Sequence, residues 1–216
     1  MKLSSIDRNK IDNSDDEIFY QQPRYVHHLS LSFRNRLTRL YTETLRENTV
    51  ILDLMSSWVS HLPENIKYKR VIGHGLNNSE LKANNRLDEY WIQNLNKNQK
   101  LPLNDSSIDF GLIVAGWQYL QFPETISLEL SRIIKPNSSL IVSFTNRAFW
   151  TKSPNIWSNS SEYQRIDYVK NILDEHGWRV QTIFNEKTIN HSFLGILNSE
   201  GDPFFSIVAI NNKTNN

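Results

Sequence analysis

Asp53, Ser56 and Ser57 follow directly on an apolar run, in the stretch Val50-Ile51-Leu52-Asp53-Leu54-Met55-Ser56-Ser57-Trp58-Val59. A carboxylate and two hydroxyls at the end of a buried-strand pattern are placed to capture a polar ligand, each hydrogen bond typically worth about 1 kcal/mol net. Further along, Gln118 and Tyr119 lie just after the apolar run Phe110 to Ala115. An amide there positions a substrate, and a phenol orients or deprotonates a substrate hydroxyl; a tyrosine bonded to backbone in the core is the competing reading. Asn146 and Arg147 follow the strand-like run Ser139 to Phe144. The planar fork of Arg147 suits an acidic substrate group, or equally a surface salt bridge. Near the start, Tyr20, Arg24 and His28 sit in an aromatic cluster whose plain reading is a helix pair packed on a core.

The elements that must hold these groups are legible as apolar periodicity. Ser14-Asp15-Asp16-Glu17 matches a capping box and predicts a short helix opening there. Phe33, Leu37, Leu40, Tyr41 and Leu45 recur at helical spacing, predicting an amphipathic helix from Leu31 to Leu45. Strands are predicted at Val50 to Leu54, Arg70 to Gly73, Tyr90 to Ile92, Phe110 to Ala115 and Ser139 to Phe144. Helices are predicted between Asn78 and Leu87, from Pro123 to Ile134 and around Ile166, Val169 and Leu173, the last ended by Gly177; His61 is read as the polar end of a short helix, and Trp58 as core in preference to a cover over the flat face of a ligand. Trp178 to Phe184 and Phe204 to Ile210 are strand-like with no amphipathic helix between them, which predicts an antiparallel hairpin with a long loop. Strands alternating with helices favour a parallel sheet covered on both faces, made mixed by that hairpin.

Composition bounds the rest. A chain of 216 residues with 38% hydrophobic content makes one domain with one sizeable core, and no apolar run is long enough to cross a bilayer. A formal charge of +1 supplies no field for a polyanion, and the basic cluster Lys67 to Arg70 is too short to indicate nucleic acid. With no cysteine there is no disulfide framework or thiolate nucleophile, and the six histidines show no metal-ligand spacing. Met1 to Asp7 lacks the apolar core of an export signal, so a cytoplasmic location is expected. Oligomeric state is not indicated.

The run Leu101-Pro102-Leu103-Asn104-Asp105-Ser106-Ser107-Ile108-Asp109-Phe110 is similar to the "LPF-x-D-x-SFD" segment of the class I S-adenosylmethionine-dependent methyltransferases, notably their type 11 small-molecule subgroup. Ile133-Ile134-Lys135-Pro136-Asn137-Ser138-Ser139-Leu140 resembles the same family's "vLkPGG-x-l" turn. The resemblance implies a Rossmann-like seven-stranded mixed α/β sheet with helices on both faces and an antiparallel C-terminal hairpin. It implies a methyltransferase-like domain over 49–210, preceded by a helical cap or lid segment over 1–48 and followed by a disordered tail over 211–216.

It further implies S-adenosylmethionine held by Asp53, Met55, Ser56, Ser57, Gly75, Asn77, Asn94, Leu95 and Trp117, a small-molecule methyl acceptor near Tyr20, Arg24, His28, Asn146 and Arg147, and Gln118 and Tyr119 facing the transferred methyl group. The family's glycine-rich loop is replaced. Met55, Ser57 and Val59 stand where glycines are expected, and the acids that hold the ribose and adenine align with Gly75 and Asn94. Glycine permits positive φ and close approach, which a β-branched valine resists. Two readings therefore stay open: a working methyltransferase with a rebuilt loop, and a catalytically silent ligand-sensing or interaction module. A nicotinamide-dependent oxidoreductase is a weaker third, since it also wants a glycine-rich turn.

Overall fold

The computed structural model describes residues 2–187, 191–193, 196–198 and 201–213. Among the described residues, nine strands form in chain order: β1 (Val50–Leu54), β2 (Arg70–Gly75), β3 (Glu89–Ile92), β4 (Ile108–Val114), β5 (Ile134–Phe144), β6 (Trp178–Glu186), β7 (His191–Phe193), β8 (Ile196–Asn198) and β9 (Phe204–Asn211). Seven of them make one sheet in the order β3-β2-β1-β4-β5-β9-β6, and β7 and β8 make a separate two-stranded pair. The neighbours from β3 to β5 are parallel, whereas β9 runs antiparallel to both β5 and β6. β1, apart from Asp53, and the centre of β5 are apolar and buried because both of their faces are covered.

Helix α1 (Ser5–Arg8) and helix α2 (Asp16–Phe19) are single turns, and α3 (Leu31–Thr44) is the long amphipathic helix expected there. Ser30 caps α3 by accepting from the Phe33 N–H, and Phe33, Leu37, Leu40 and Tyr41 bury its apolar face against Ile51, Val71, Leu112, Ile141 and Val208 of the sheet. Between β2 and β3 lies α4 (Asn78–Ala83); α5 (Pro123–Ile133), α6 (Asn155–Ser158) and α7 (Glu162–Glu175) follow. Ile126, Leu130 and Ile133 of α5 join Ile166, Val169, Ile172 and Leu173 of α7 on the opposite face. Gly177 takes φ +93° just beyond α7, the left-handed exit that glycine allows.

Three expectations are corrected. No helix follows β1: residues 55–69 are irregular, and His61 lies within that loop. Its serine hydroxyls bond to carboxylates and not to local backbone, Val59 is β-branched, and Pro63 follows, all of which work against helix. The cap of α2 is Asp15, whose side chain accepts from the Glu17 N–H, not Ser14; the Ser14 carbonyl and hydroxyl instead accept from Lys152 Nζ at 2.8 and 2.9 Å. Asn211 is not tail. It closes β9 fully buried, its amide donating to the carbonyls of Ser131 (2.9 Å) and Ile134 (2.7 Å). Residues 214–216 of the expected tail, and much of the loop expected between the last two sheet strands, lie outside the described residues.

Candidate functional site

The chain leaves β3 to start β4 on the other side of β1, so the strand order reverses between β1 and β4. In an open α/β sheet the connections diverge at that point and leave a crevice beyond the carboxyl ends of the strands. A cavity of about 650 Å³ occupies it, walled by the exits of β1, β2, β3, β4 and β5 and by the segment between α2 and α3. Asp53, Met55, Ser56, Ser57, Gly75, Asn77, Asn94 and Leu95 line one end; Tyr20, Arg24, His28, Gln118, Tyr119, Asn146 and Arg147 line the other. Trp117 does not. The 3₁₀ turn Trp117–Tyr119 presents Gln118 and Tyr119 to the cavity and rotates the Trp117 indole into the hydrophobic core, where it is 1% exposed.

The turn after β1 is built from side chains. Met55 holds φ +60°, and it alone of the three glycine-equivalent positions is left-handed; Ser57 and Val59 are not. The Asp53 carboxylate, buried, accepts from the hydroxyls of Ser56 (2.7 Å) and Ser60. Burial raises the Asp53 pKa, and the two serine hydroxyls oppose that rise. Ser57 Oγ donates to Glu80 at 2.5 Å, and Asn84 donates to the Ser57 carbonyl and the Ser60 hydroxyl, each at 3.0 Å. The missing glycines reappear on the neighbouring strands' exits: a Cβ on Gly75 would lie 2.6 Å from the Ser56 carbonyl oxygen, and one on Gly116 would lie 2.7 Å from Met55 Cβ.

Asn77, expected to meet a ribose, is occupied by protein. Its Oδ1 caps α4 by accepting from the Glu80 N–H (3.0 Å), and its amide donates to the carbonyls of Tyr20 (2.8 Å) and Gln21 (3.0 Å). Glu80 in turn accepts from the Arg24 N–H at 2.7 Å. Asn94 Oδ1 accepts from the Asn96 N–H at 3.0 Å. The segment from Lys10 to Leu29 is therefore fastened over the cavity. Lys152, 1% exposed, anchors it through Ser14 and through Asp12 at 3.0 Å, while Lys10 pairs with Asp16 at 2.7 Å. Trp58 is not core: it lines the cavity, lies 4.8 Å from the His27 ring and donates to the Val26 carbonyl at 3.2 Å.

The far end is aromatic. Tyr119 stacks on Phe149 (6.1 Å), and Tyr20, Phe19 and His28 meet the same phenylalanine edge-on. The Arg24 guanidinium lies 4.6 Å from the Phe19 ring and 5.5 Å from Phe149, and its Nη1 has no hydrogen-bond partner among the described residues. Tyr119 Oη accepts from the Phe149 N–H at 3.0 Å, and burial pushes its pKa up to about 12. Gln118 is 2% exposed; its amide donates weakly to the Arg147 carbonyl (3.4 Å), and its Oε1 is buried without a partner among the described residues. Arg147 pairs with Asp202 at 2.6 Å, and Asn146 donates to Glu162 at 3.3 Å. Burial lowers the His28 pKa below its ordinary value, so the ring is neutral at pH 7.

Several site residues escaped the sequence reading, Glu80, His74 and Phe149 among them. Glu80 had a signal, Asn77-Asn78-Ser79-Glu80, which places a carboxylate one turn inside a helix cap. His74 had a fainter one, a lone imidazole inside the apolar strand Arg70–Gly75. Phe149 had none.

No family model and no curated protein matches the sequence. Solved structures do. A SAM-dependent methyltransferase from Aquifex aeolicus superposes with a TM-score of 0.57 at 18% identity, over 82% of this chain and 89% of that one. The [4+2]-cyclase SpnF gives 0.59 at 12% identity, over 82% and 80%. Geranyl diphosphate C-methyltransferase from Streptomyces coelicolor A3(2), solved with Mg²⁺, geranyl diphosphate and S-adenosyl-L-homocysteine, gives 0.56 at 10% identity, over 83% and 80%. At these identities the likeness speaks for the fold, and it agrees with the strand order and the reversed last strand: the chain has the fold of the class I S-adenosylmethionine-dependent methyltransferases.

Proposed function

We propose that the protein is an S-adenosylmethionine-dependent methyltransferase acting on a small molecule. The observation that carries this reading is the single cavity at the strand-order reversal, which joins a polar end on the β1 and β2 exits to an aromatic end on the β4 and β5 exits. Its volume lies within the roughly 300–1,000 Å³ usual for small-ligand sites. The polar end fits the cofactor through the Asp53 carboxylate, the Ser56 hydroxyl and Asn94, and the buried Gln118 Oε1, without a partner among the described residues, offers a further acceptor on the cavity wall. The bound cofactor supplies an electrophilic methyl group.

The remaining work falls to this chain's own side chains. Tyr20, Tyr119 and Phe149 pack on one another as an aromatic wall against which an acceptor would lie flat, and alignment of that kind lowers the barrier to in-line transfer. Tyr119 keeps its proton at neutral pH and therefore serves as a hydrogen-bond partner, not as a base. His28, neutral at pH 7 and on the cavity wall, is the group suited to take a proton from an acceptor hydroxyl or amine. The fastened segment between α2 and α3 walls one side of the cavity through Arg24, Val26, His27, His28 and Leu29.

A second reading is favoured by a different observation. Asn77, Glu80 and Asp53 satisfy one another's neighbourhood so fully that a module without turnover would need no other change, and one fold neighbour is named as a cyclase. Calorimetry with S-adenosylmethionine and S-adenosylhomocysteine, with NADH as control, tests the proposal. Micromolar binding of the first two, weakened in Asp53→Ala, is expected. Absence of binding at millimolar ligand overturns the enzyme reading.

A further inference from the structure

We propose that His74 is a positioning residue that lets a turn lacking glycine hold the left-handed geometry at the polar end of the cavity. The inference rests on the methyltransferase reading only for its ligand-binding readout. A non-glycine residue at positive φ is strained, and it persists only where its surroundings hold it. Met55 is held by one residue on the adjacent strand. Its N–H donates to His74 Nδ1 at 3.2 Å, and the next N–H, that of Ser56, donates to the His74 carbonyl at 2.6 Å. Buried backbone donors need acceptors, and two successive ones here find both on a single histidine.

The other ring nitrogen ties in a third segment. His74 Nε2–H donates to the Gln93 carbonyl at 2.9 Å, on the exit of β3. One imidazole thus links the exits of β1, β2 and β3, which together form the polar wall. The two bonds require opposite roles of the two nitrogens, an acceptor at Nδ1 and a donor at Nε2, so the ring must be neutral and of one tautomer. Its setting enforces neutrality: His74 is 2% exposed, with the Trp91 ring 4.9 Å away. Burial outweighs the Gln93 carbonyl, and no charged side chain contributes to its titration. Gly75 completes the arrangement, since a Cβ there would strike the Ser56 carbonyl that the same turn brings inward.

If His74 holds the turn, supplying glycine at position 55 removes the need for it. His74→Phe keeps a ring beside Trp91 and deletes both side-chain hydrogen bonds. S-adenosylhomocysteine affinity, by calorimetry, is expected to fall by at least about tenfold in His74→Phe relative to wild type, and the same substitution is expected to cost no more than about threefold once Met55→Gly is also present. A role in filling space alone predicts equal losses in both backgrounds, and that result overturns the proposal. Nitrogen-15 spectra of the wild-type imidazole test it without any ligand and without reliance on a variant that folds. A non-protonated Nδ1 and a protonated Nε2 at pH 7 are expected, with the Met55 amide coupled across its hydrogen bond to Nδ1; a protonated Nδ1 overturns the proposal. Wild-type protein that binds no S-adenosylhomocysteine defeats the methyltransferase reading and leaves the spectra to decide the positioning role.

Discussion

Acid should destabilise this fold through His74 in a window that its burial defines. The folded-state pKa is pushed down to about 4 from an ordinary value of 6.5. Between those values the unfolded chain binds the proton more readily than the native one, so stability is complete above about pH 6.5 and is lost as pH falls towards 4. From pH 7 to pH 5 the linkage relation gives a loss of about 2 kcal/mol for this one group, since protonation of the unfolded state is nearly complete at pH 5 while the native ring is still mostly neutral. His61, also lowered to about 4 by burial, adds to the total, and Asp53, raised by burial, opposes it. Comparison with His74→Gln cancels both of those contributions, because the variant retains them and lacks only the titrating ring. Urea unfolding followed by tryptophan fluorescence at pH 7 and pH 5 is the assay. With a urea m-value of about 2–3 kcal/mol/M, the wild-type midpoint should fall by roughly 0.7–1 M more than the variant's over that interval. Equal falls would refute the reasoning, since they would mean that His74 is not held neutral by the fold.

Two other perturbations probe the cover and the turn. Lys152→Met removes the buried cation that anchors Ser14 and Asp12; because Asp12 is partly exposed and Asp16 keeps Lys10, a loss of about 3 kcal/mol is expected, at the low end for a broken buried pair, with new protease cleavage between Lys10 and Leu29. Unchanged urea stability and cleavage pattern would reject the anchoring role. Gly116→Ala places a methyl group 2.7 Å from Met55 Cβ at a position whose φ of −112° suits any residue, so the effect is steric alone. A stability loss of about 1–3 kcal/mol with weaker S-adenosylhomocysteine binding is expected, and a variant indistinguishable from wild type in both would show that the turn does not need that space.

The sheet was legible because its central strands are buried on both faces and so appear as dense apolar runs, as at Val50–Leu54, where only Asp53 interrupts. Its closing hairpin was legible because the sequence shows no amphipathic helical pattern between the two strand-like runs that pair as β6 and β9. What failed to show in sequence depends on partners far along the chain. Ser14 has the spacing of a cap, but Lys152 takes its hydroxyl and carbonyl, and Asp15 caps instead. Asn211 has the character of a polar tail, yet three hydrogen bonds with Ser131 and Ile134 bury it. The same holds in the cavity. Element order determined which loops meet there, and motif position brought Asp53, Gly75, Asn94 and Gln118 to its wall, whereas the bonds from Asn77 to Tyr20 and Gln21 arise only once the amino-terminal segment lies across α4.

The replaced glycines follow from the same geometry. A glycine-rich turn serves two needs, a left-handed backbone and room for close approach. Only Met55 takes on the first, at φ +60°, and hydrogen bonds to His74 hold it there. Room is supplied from the other side, by Gly75 and Gly116, but it admits the turn itself against the neighbouring strand exits. The backbone N–H groups of Met55 and Ser56 consequently point into the protein, and what the turn offers to the cavity is side chains. Under the proposed function, a ligand at the polar end would meet hydroxyl and carboxylate groups whose positions are set by Asp53, Glu80 and Asn84. On this arrangement a single substitution within that network, such as Asp53→Ala, releases Ser56 and Ser60 together, and its effect on affinity exceeds the loss of one contact.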